Sequence, residues 1–597
     1  MMKLTMIRLA AIGCLSISCI FAAGCDLEQS PVSATNAAAV FGTEAGLQLY
    51  TNSFTENLPS VDGVMAGDDM SDYLAVRSPS NFIRPGAYTP TSIGSWSWTA
   101  LRNINVFLAN NLGDGLAPEV RNHYNGIARF YRAMFYFNKV KQYGDVPWID
   151  HPLDVTDSAA LFAVRDKRDV VMKHVLEDLD YAIANIRTET DASHTTITKD
   201  VASAYKSRVA LFEGTFRKYH ANDLATGLGS TANALLQQAA DAAQQVMDRG
   251  HFSLYTGGGV DNSYRQLFNS ETAPASETML VYVEDVNQAV RQDGNWIYTS
   301  ATTGVGASFL KQFINTYLKI DGTPFTNTAG YDTLSFMTEV KGRDKRLQQT
   351  IRMGDYKRLN GGVLVPAPPA FSQTLTGYMP IKWTVDDFSY DAGANNTNDV
   401  PIFRYAEVLL NLAEAKAELG TITAAEWAKT VGALRGRAGI TGGLATLPTQ
   451  VDPYLRTTYF PDISNPVILE VRRERGIELA LEGLRFQDLI RWKHGELMAM
   501  PWRGFYVPSA NQSLDLNEDG TPDVYFYTGT APTSQTTGVL YINVSGGTQQ
   551  RSLQLGNHGD LEWLMTVQRV WDDKLYLSPI SATDVAVNPK LGQNPGW

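Results

Sequence analysis

The stretch from Phe403 to Gly436, FRYAEVLLNLAEAKAELGTITAAEWAKTVGALRG, predicts two consecutive helices joined by a short turn. Apolar residues recur at helical spacing and a glycine follows them, so the first helix is expected over 402–420. Thr423 and Glu426 have the spacing of a capping box, which predicts a second helix over 424–437. Alanines at close-contact positions make the stretch typical of a tetratricopeptide-like (TPR-like) helical hairpin.

The same pattern of paired helices is found three more times along the chain. The further pairs are 117–142 with 166–187, 199–219 with 231–249, and 467–482 with 485–499. The predicted fold is therefore mainly α, with a TPR-like scaffold of helical hairpins over 41–250 and 400–500. An irregular cap of loops and short strands is expected over 251–399 and 501–570, followed by a C-terminal segment over 571–597.

Composition limits the function classes that this chain can belong to. The chain has 597 residues, of which 44% are hydrophobic, so it can bury a large core. Its net charge is −12 and no basic stripe occurs, so nucleic acid is not expected as a partner. The eight histidines are scattered, and hydrolase, P-loop and metalloprotease motifs are missing, which favours binding over catalysis. Glycosidase carboxylates leave no motif, so the sequence does not exclude that chemistry.

The N-terminus predicts a lipoprotein. Residues 1–24 form a basic start followed by a short apolar run, which is typical of a signal peptide. Small residues lead into Cys25 and resemble a bacterial lipobox, so Cys25 is the expected lipidation site; the alternative is ordinary secretory cleavage. Residues 25–40 are then the lipidated tether. All three cysteines lie in the first 25 residues, which rules out a disulfide in the main body.

Four segments, in order and spacing, resemble the RagB/SusD family of outer-membrane nutrient-binding lipoproteins. They are Arg129–Phe137 running into Gln142–Trp148, Arg404–Ala415, Glu474–Trp492, and Leu577–Ile580 continuing to Asn588–Trp597. The resemblance implies a TPR-like scaffold with an irregular ligand-binding region, a lipid anchor in the outer membrane at the cell surface, and an oligosaccharide or other nutrient as ligand. It also implies a SusC-like, TonB-dependent transporter as partner.

The carboxylates within 474–488 could suggest an acid–base pair. Their spacing relative to nearby arginines instead predicts a salt-bridged ridge that holds helices in register.

Sugar binding requires flat rings beside polar side chains, and two places in the sequence supply them. The first contains Trp96 and Trp98, with Arg102 and Asn103 one turn on and Arg77 and Arg84 in the preceding loop. Core packing is an equal alternative for Trp98.

The second place contains Trp296 and Tyr298. An extended segment would put both rings on one face, with a half-buried strand as the alternative.

One loop resembles the start of an EF-hand calcium site. Oxygen ligands are expected from five residues: Asp515, Asn517, Asp519, Thr521 and Asp523. The bidentate glutamate of an EF-hand is missing, because Phe526 occupies position 12. Calcium is the expected cofactor, and the alternative is a turn rich in Asp and Asn.

Together with the candidate rings, the resemblance implies a surface protein that captures glycan and delivers it to a transporter. The alternatives are a surface glycan-processing enzyme and a TPR assembly scaffold without its own ligand.

Overall fold

The computed structural model describes residues 40–113, 115–300, 304–547 and 550–597. The signal segment, Cys25 and most of the tether lie outside these residues. The α-helices are α1 Glu44–Asn52, α2 Val61–Met65, α3 Thr99–Asn110, α4 Pro118–Tyr143, α5 Ser158–Leu161, α6 Arg168–Asn185, α7 Lys199–Tyr219, α8 Ala232–Arg249, α9 Gly259–Asn269, α10 Gly294–Thr299, α11 Lys311–Ile314, α12 Phe336–Glu339, α13 Arg346–Thr350, α14 Tyr405–Leu419, α15 Ala424–Lys429, α16 Val431–Arg437, α17 Pro453–Thr458, α18 Pro466–Glu478, α19 Arg485–Arg491 and α20 Ala582–Val587.

The strands are short and lie mostly in the second half of the chain. They are β1 Leu74–Ala75, β2 Thr278–Tyr282, β3 Ser308–Phe309, β4 Lys357–Asn360, β5 Val363–Pro366, β6 Val400–Arg404, β7 Arg503–Val507, β8 Gln512–Leu514, β9 Val524–Tyr527, β10 Leu540–Asn543, β11 Arg551–Leu553 and β12 Gly559–Trp563. β1–β3, β2–β6 and β4–β5 form antiparallel pairs, β11-β12-β7 is an antiparallel sheet, and in β10-β9-β8 the β10–β9 pair is parallel.

The first two predicted hairpins are confirmed. α4 packs along α6, and α7 packs along α8. Gly126 lets α4 approach its partner closely, because a β-carbon there would lie 3.0 Å from Cγ1 of Ile186. The buried ion pair of Arg132 with Asp178 joins α4 to α6, with the guanidinium Nε 2.7 Å from the carboxylate. Helix packing therefore builds the scaffold that the apolar spacing predicts.

The third hairpin differs from the prediction in two ways. Residues 402–404 belong to β6, which pairs with β2, so the first helix begins at Tyr405 and not at 402. The second helix divides at Thr430, whose backbone (φ −114°, ψ −96°) separates α15 from α16. The capping box of Thr423 and Glu426 is present as predicted. The later start of the first helix is caused by strand pairing with a distant segment. Helical periodicity cannot predict such a pairing.

The fourth predicted pair consists of two helices that pack mainly on other elements. α18 ends at Glu478 and lies against α14, whereas α19 lies against α7. Residues 495–499 form a 3₁₀ turn and do not extend α19. The pair 467–482 with 485–499 is therefore wrong as a simple hairpin.

The acidic ridge of 474–488 is structural, as predicted. Glu478 is fully buried and accepts from Arg346 at 2.9 Å and Arg404 at 3.1 Å, and it also pairs with Arg437. These arginines come from distant parts of the chain, so the ridge joins the cap to the scaffold. The three guanidinium groups offset the cost of burial and hold the pKa of Glu478 well below its usual range.

Candidate ligand-binding groove

A groove of about 560 Å³ lies between the start of α3, the segment 147–163 and the C-terminal helix α20. The sequence predicts ligand-binding rings at the start of α3, but it does not predict that residues 583–591 face them. The residues along the groove are mostly apolar, with a few polar groups among them, which is typical of small-molecule sites. Its lining includes Trp96, Trp98, Leu101, Arg102, Asn105, Ile149, His151, Leu153, Leu161, Asp584, Val587, Asn588 and Leu591.

Trp96 and Trp98 are brought together at this groove. The backbone N–H of Trp96 donates to Oδ2 of Asp584 at 2.8 Å, which fixes the loop against α20. The Trp96 ring is half-buried and lies 5.6 Å from the Trp98 ring and 4.9 Å from Tyr143. Trp98 packs 5.7 Å from Phe135 of α4. The two rings are therefore both packed against the scaffold and part of the groove wall.

Two polar side chains of α3 project toward the groove. Nη1 of Arg102 donates to the carbonyl of Leu153 at 3.1 Å, and Nδ2 of Asn105 donates to the carbonyl of Ile149 at 2.9 Å. The buried Oδ1 of Asn105 has no hydrogen-bond partner within the described residues. A ligand hydroxyl could satisfy this acceptor.

Asn103 does not line the groove. Its Nδ2 donates to Oγ of Ser53 at 3.0 Å, just after α1. Residues on one helix face recur at three, four and seven positions, and counting from Trp98 this spacing selects Arg102 and Asn105, not Asn103. Arg102 was named from the sequence and does line the groove, and the helical spacing could also have identified Asn105.

Arg77 and Arg84 also lie outside the groove lining. Arg77 donates to the carbonyls of Gly304 and Ser300, each at 2.9 Å, so it contacts the backbone just after α10. Arg84 is exposed and contacts Oδ1 of Asn81 at 3.2 Å.

The extended conformation predicted around Trp296 and Tyr298 is wrong, because both residues lie in the short helix α10. Residues two apart on a helix point in different directions. Tyr298 is 2% exposed and its hydroxyl donates to the carbonyl of Met65, whereas Trp296 is 36% exposed. Tyr298 therefore belongs to the core, whereas Trp296 lies at the surface. Arg77 contacts the backbone just after α10.

The predicted calcium loop lies between β8 and β9. Oδ2 of Asp515 accepts from the N–H of Gly520 at 2.8 Å, and Oδ1 of Asp519 accepts from the N–H of Thr521 at 2.8 Å. Asn517 donates to Asp519 at 2.9 Å.

Asp523 completes this loop by accepting from the N–H of Leu516 at 2.7 Å. Burial raises the pKa of Asp523, and the charges of Asp515 and Asp519 raise it further. Among the described residues, no cluster of three or more His, Cys, Asp or Glu side chains is suited to hold a metal ion. Calcium at this loop stays a prediction.

Within the described ranges, no helix combines the length and apolar character needed to cross a bilayer.

The fold and the groove define a helical-hairpin scaffold protein with an aromatic-walled surface groove. Two family models match the chain: "SusD family" over residues 277–597 and "Starch-binding associating with outer membrane" over residues 62–210. The chain belongs to the SusD family, and the RagB/SusD resemblance of the sequence is confirmed.

Individual relatives agree with this family. The chain is 25% identical over 503 residues to SusD-like protein P2 of Formosa agariphila, covering 79% of this chain and 88% of that one. A SusD-like protein of Bacteroides fragilis matches with a TM-score of 0.67, 21% identity and coverage of 95% and 100%. A SusD-like carbohydrate-binding protein of the same species matches with a TM-score of 0.66, 19% identity and coverage of 92% and 99%. These structures confirm the mainly α, TPR-like fold class.

Proposed function

We propose that this chain is a cell-surface, non-catalytic lipoprotein that binds an oligosaccharide in the groove and passes it to a SusC-like, TonB-dependent outer-membrane transporter. The observation that carries the proposal is the groove wall of Trp96 and Trp98 beside the unpaired Oδ1 of Asn105. Aromatic faces stack on sugar rings, and a buried amide oxygen accepts from a hydroxyl. The names of the family model and of one structural relative, starch-binding and carbohydrate-binding, support the same class of ligand.

Trp296 is proposed as a second contact position for the glycan. Trp296 is more than one-third exposed, and Arg77 donates to the carbonyl of Ser300 just after its helix. Tyr298, by contrast, is engaged in the core and is expected to support α10 without touching ligand. Arg84 and Asn103 are proposed only as supports for the surrounding loop and helix.

A calorimetric titration with a panel of purified oligosaccharides tests the groove. Trp96→Ala should weaken binding of the selected glycan by roughly 1 to 3 kcal/mol, about 5- to 150-fold, because it removes the stacking face. Trp296→Ala should also weaken binding, by a smaller factor. Phe388→Ala is the matched control, since this ring is 39% exposed and lies outside the groove lining.

Wild-type affinity in a folded Trp96→Ala protein would remove the groove from the proposal. Release of shortened products from the panel during incubation would instead favour a glycan-processing enzyme. Co-purification of the tagged chain with a TonB-dependent barrel from native outer membranes tests delivery, and recovery of the chain alone would contradict the partner.

A further inference from the structure

Lys141, near the C-terminal end of α4, has no carboxylate partner among the described residues. Within the described residues its ammonium makes no ion pair and no hydrogen bond. Its Nζ lies over the Phe137 ring, 4.7 Å from the centroid. The side chain is half-buried, so water compensates only part of its charge.

Two adjoining cavities meet at this lysine. They have volumes of about 510 and 280 Å³, and both are lined by Asn138, Lys141 and Gln487. Aromatic side chains of Phe82, Tyr88 and Tyr576 also line the larger cavity. None of the described residues that line this larger cavity is an aspartate or a glutamate.

The other charges around the smaller cavity balance one another. Arg208 pairs with Glu407, with its Nε 2.6 Å from the carboxylate. Arg475 pairs with Asp488 at 2.8 Å. Arg491 pairs with Glu414 and also with Asp488. Three arginines thus face three carboxylates, and Lys141 is the excess positive charge.

Gln487 supplies a second unsatisfied group at the same place. Its Oε1 is buried and has no hydrogen-bond partner within the described residues. A buried amide oxygen needs a donor, and a sugar hydroxyl is such a donor. An ammonium, an amide oxygen and several rings are the groups that would hold a sugar with an anionic substituent.

We propose that the cavity at Lys141 and Gln487 binds the anionic group of an acidic sugar, either a carboxylate or a sulfate ester. Lys141 pairs with the anion, Oε1 of Gln487 accepts from a ring hydroxyl, and the aromatic walls contact the ring faces. This site is separate from the groove at Trp96, although residues of the C-terminal segment line both. The inference rests on the proposed glycan-binding function and specifies the charge of the glycan.

The ionisation of Lys141 is consistent with such a site. Burial first, and then the neighbouring charge of Arg208, together lower its pKa to about 7. A bound anion favours the ammonium, so binding takes up a proton when the pH exceeds about 7. Affinity for the acidic sugar should therefore fall as the pH rises from 7 to 9. The other titratable or charged groups on the packed elements are Tyr88, Tyr205, Arg208, Arg475, Asp488, Arg491 and Tyr576.

The test compares acidic oligosaccharides with neutral partners of the same length. One arm uses tri-galacturonate and its methyl ester, and the other uses a sulfated carrageenan oligosaccharide and its desulfated form. Wild-type protein should bind at least one acidic member ten-fold or more tightly than its neutral partner, and the arm that responds identifies the anion. Lys141→Met should abolish this preference, whereas Lys141→Arg should keep it and lose the decline between pH 7 and 9.

Several results would overturn the inference. Wild-type protein without preference for either acidic member would do so, as would a preference that persists in Lys141→Met. If the protein binds neutral glycans without preferring acidic ones, this inference is contradicted but the proposed function is not. If it binds no glycan at all, both are contradicted. Lys141→Met should melt no lower than wild type, because it replaces an unpaired half-buried charge with an apolar chain, so misfolding would show separately.

Discussion

At the scale of single residues, Glu478 is expected to matter for stability. Glu478→Gln leaves Arg346, Arg404 and Arg437 with less negative charge in a fully buried place. Removing one partner of a buried ion pair typically costs about 3 to 5 kcal/mol. We expect the free energy of unfolding in urea to fall by that amount, with glycan affinity unchanged in the folded variant. Lost affinity in a fully folded variant would place the ridge in the ligand site.

The same residue predicts a dependence of stability on pH. The pKa of Glu478 is depressed in the folded state, so its carboxylate stabilises the fold fully above pH 4.5, the ordinary pKa of a glutamate. This stabilisation is lost as the pH falls below 4.5 toward the pKa of the folded state. The unfolding free energies of wild type and Glu478→Gln should therefore converge below about pH 4.5. Glu177→Gln is the control, since this exposed carboxylate should change stability by less than about 0.5 kcal/mol. Parallel curves for wild type and Glu478→Gln would contradict the prediction.

At the scale of elements, the loop between β8 and β9 is predicted to bind calcium. Asp515, Asp519 and Asp523 accept from backbone N–H groups. Burial raises the pKa of Asp523, and repulsion from Asp515 and Asp519 adds to this shift. A divalent cation would relieve that repulsion. We expect one bound calcium after dialysis and a melting temperature that falls by a few degrees with chelator. Asp519→Asn should reduce both effects. If no calcium is bound and the melting temperature does not change with chelator, the loop is only a turn and the prediction is wrong.

Local patterns predicted the helices well and the contacts between distant segments poorly. The apolar spacing along α4 and the capping box at Thr423 depend only on residues close in sequence, so both could be predicted from the sequence. The start of α14 depends on β2 pairing with residues 400–404, more than 100 residues away, which no local pattern records. The helix around Trp296 also contradicts its strand-like alternation.

The candidate site was predictable only in part, for the same reason. Trp96 and Trp98 stood out as rings beside polar residues, and both line the groove. The opposite wall comes from residues 583–591, which tertiary folding brings to Trp96 through Asp584. The sequence did not predict a role for Lys141, because a lysine in an amphipathic helix is normally exposed to solvent. Its lack of a carboxylate partner within the described part of the chain becomes visible only in the folded structure.

At the scale of the whole molecule, the N-terminal segment is predicted to attach the protein to a membrane through Cys25. Within the described residues no helix can cross a bilayer, whereas Cys25 follows small residues as in a lipobox. The 15 residues from Cys25 to 39 span at most about 50 Å when extended, which would hold the scaffold near the surface. We expect Cys25→Ser to move the protein from the membrane fraction to the soluble fraction, with the melting temperature and glycan affinity unchanged. Cys19→Ser is the matched control and should leave the protein on the membrane, because this residue lies in the segment that cleavage removes. If Cys25→Ser fractionates with membranes as wild type does, the attachment depends on a different part of the chain.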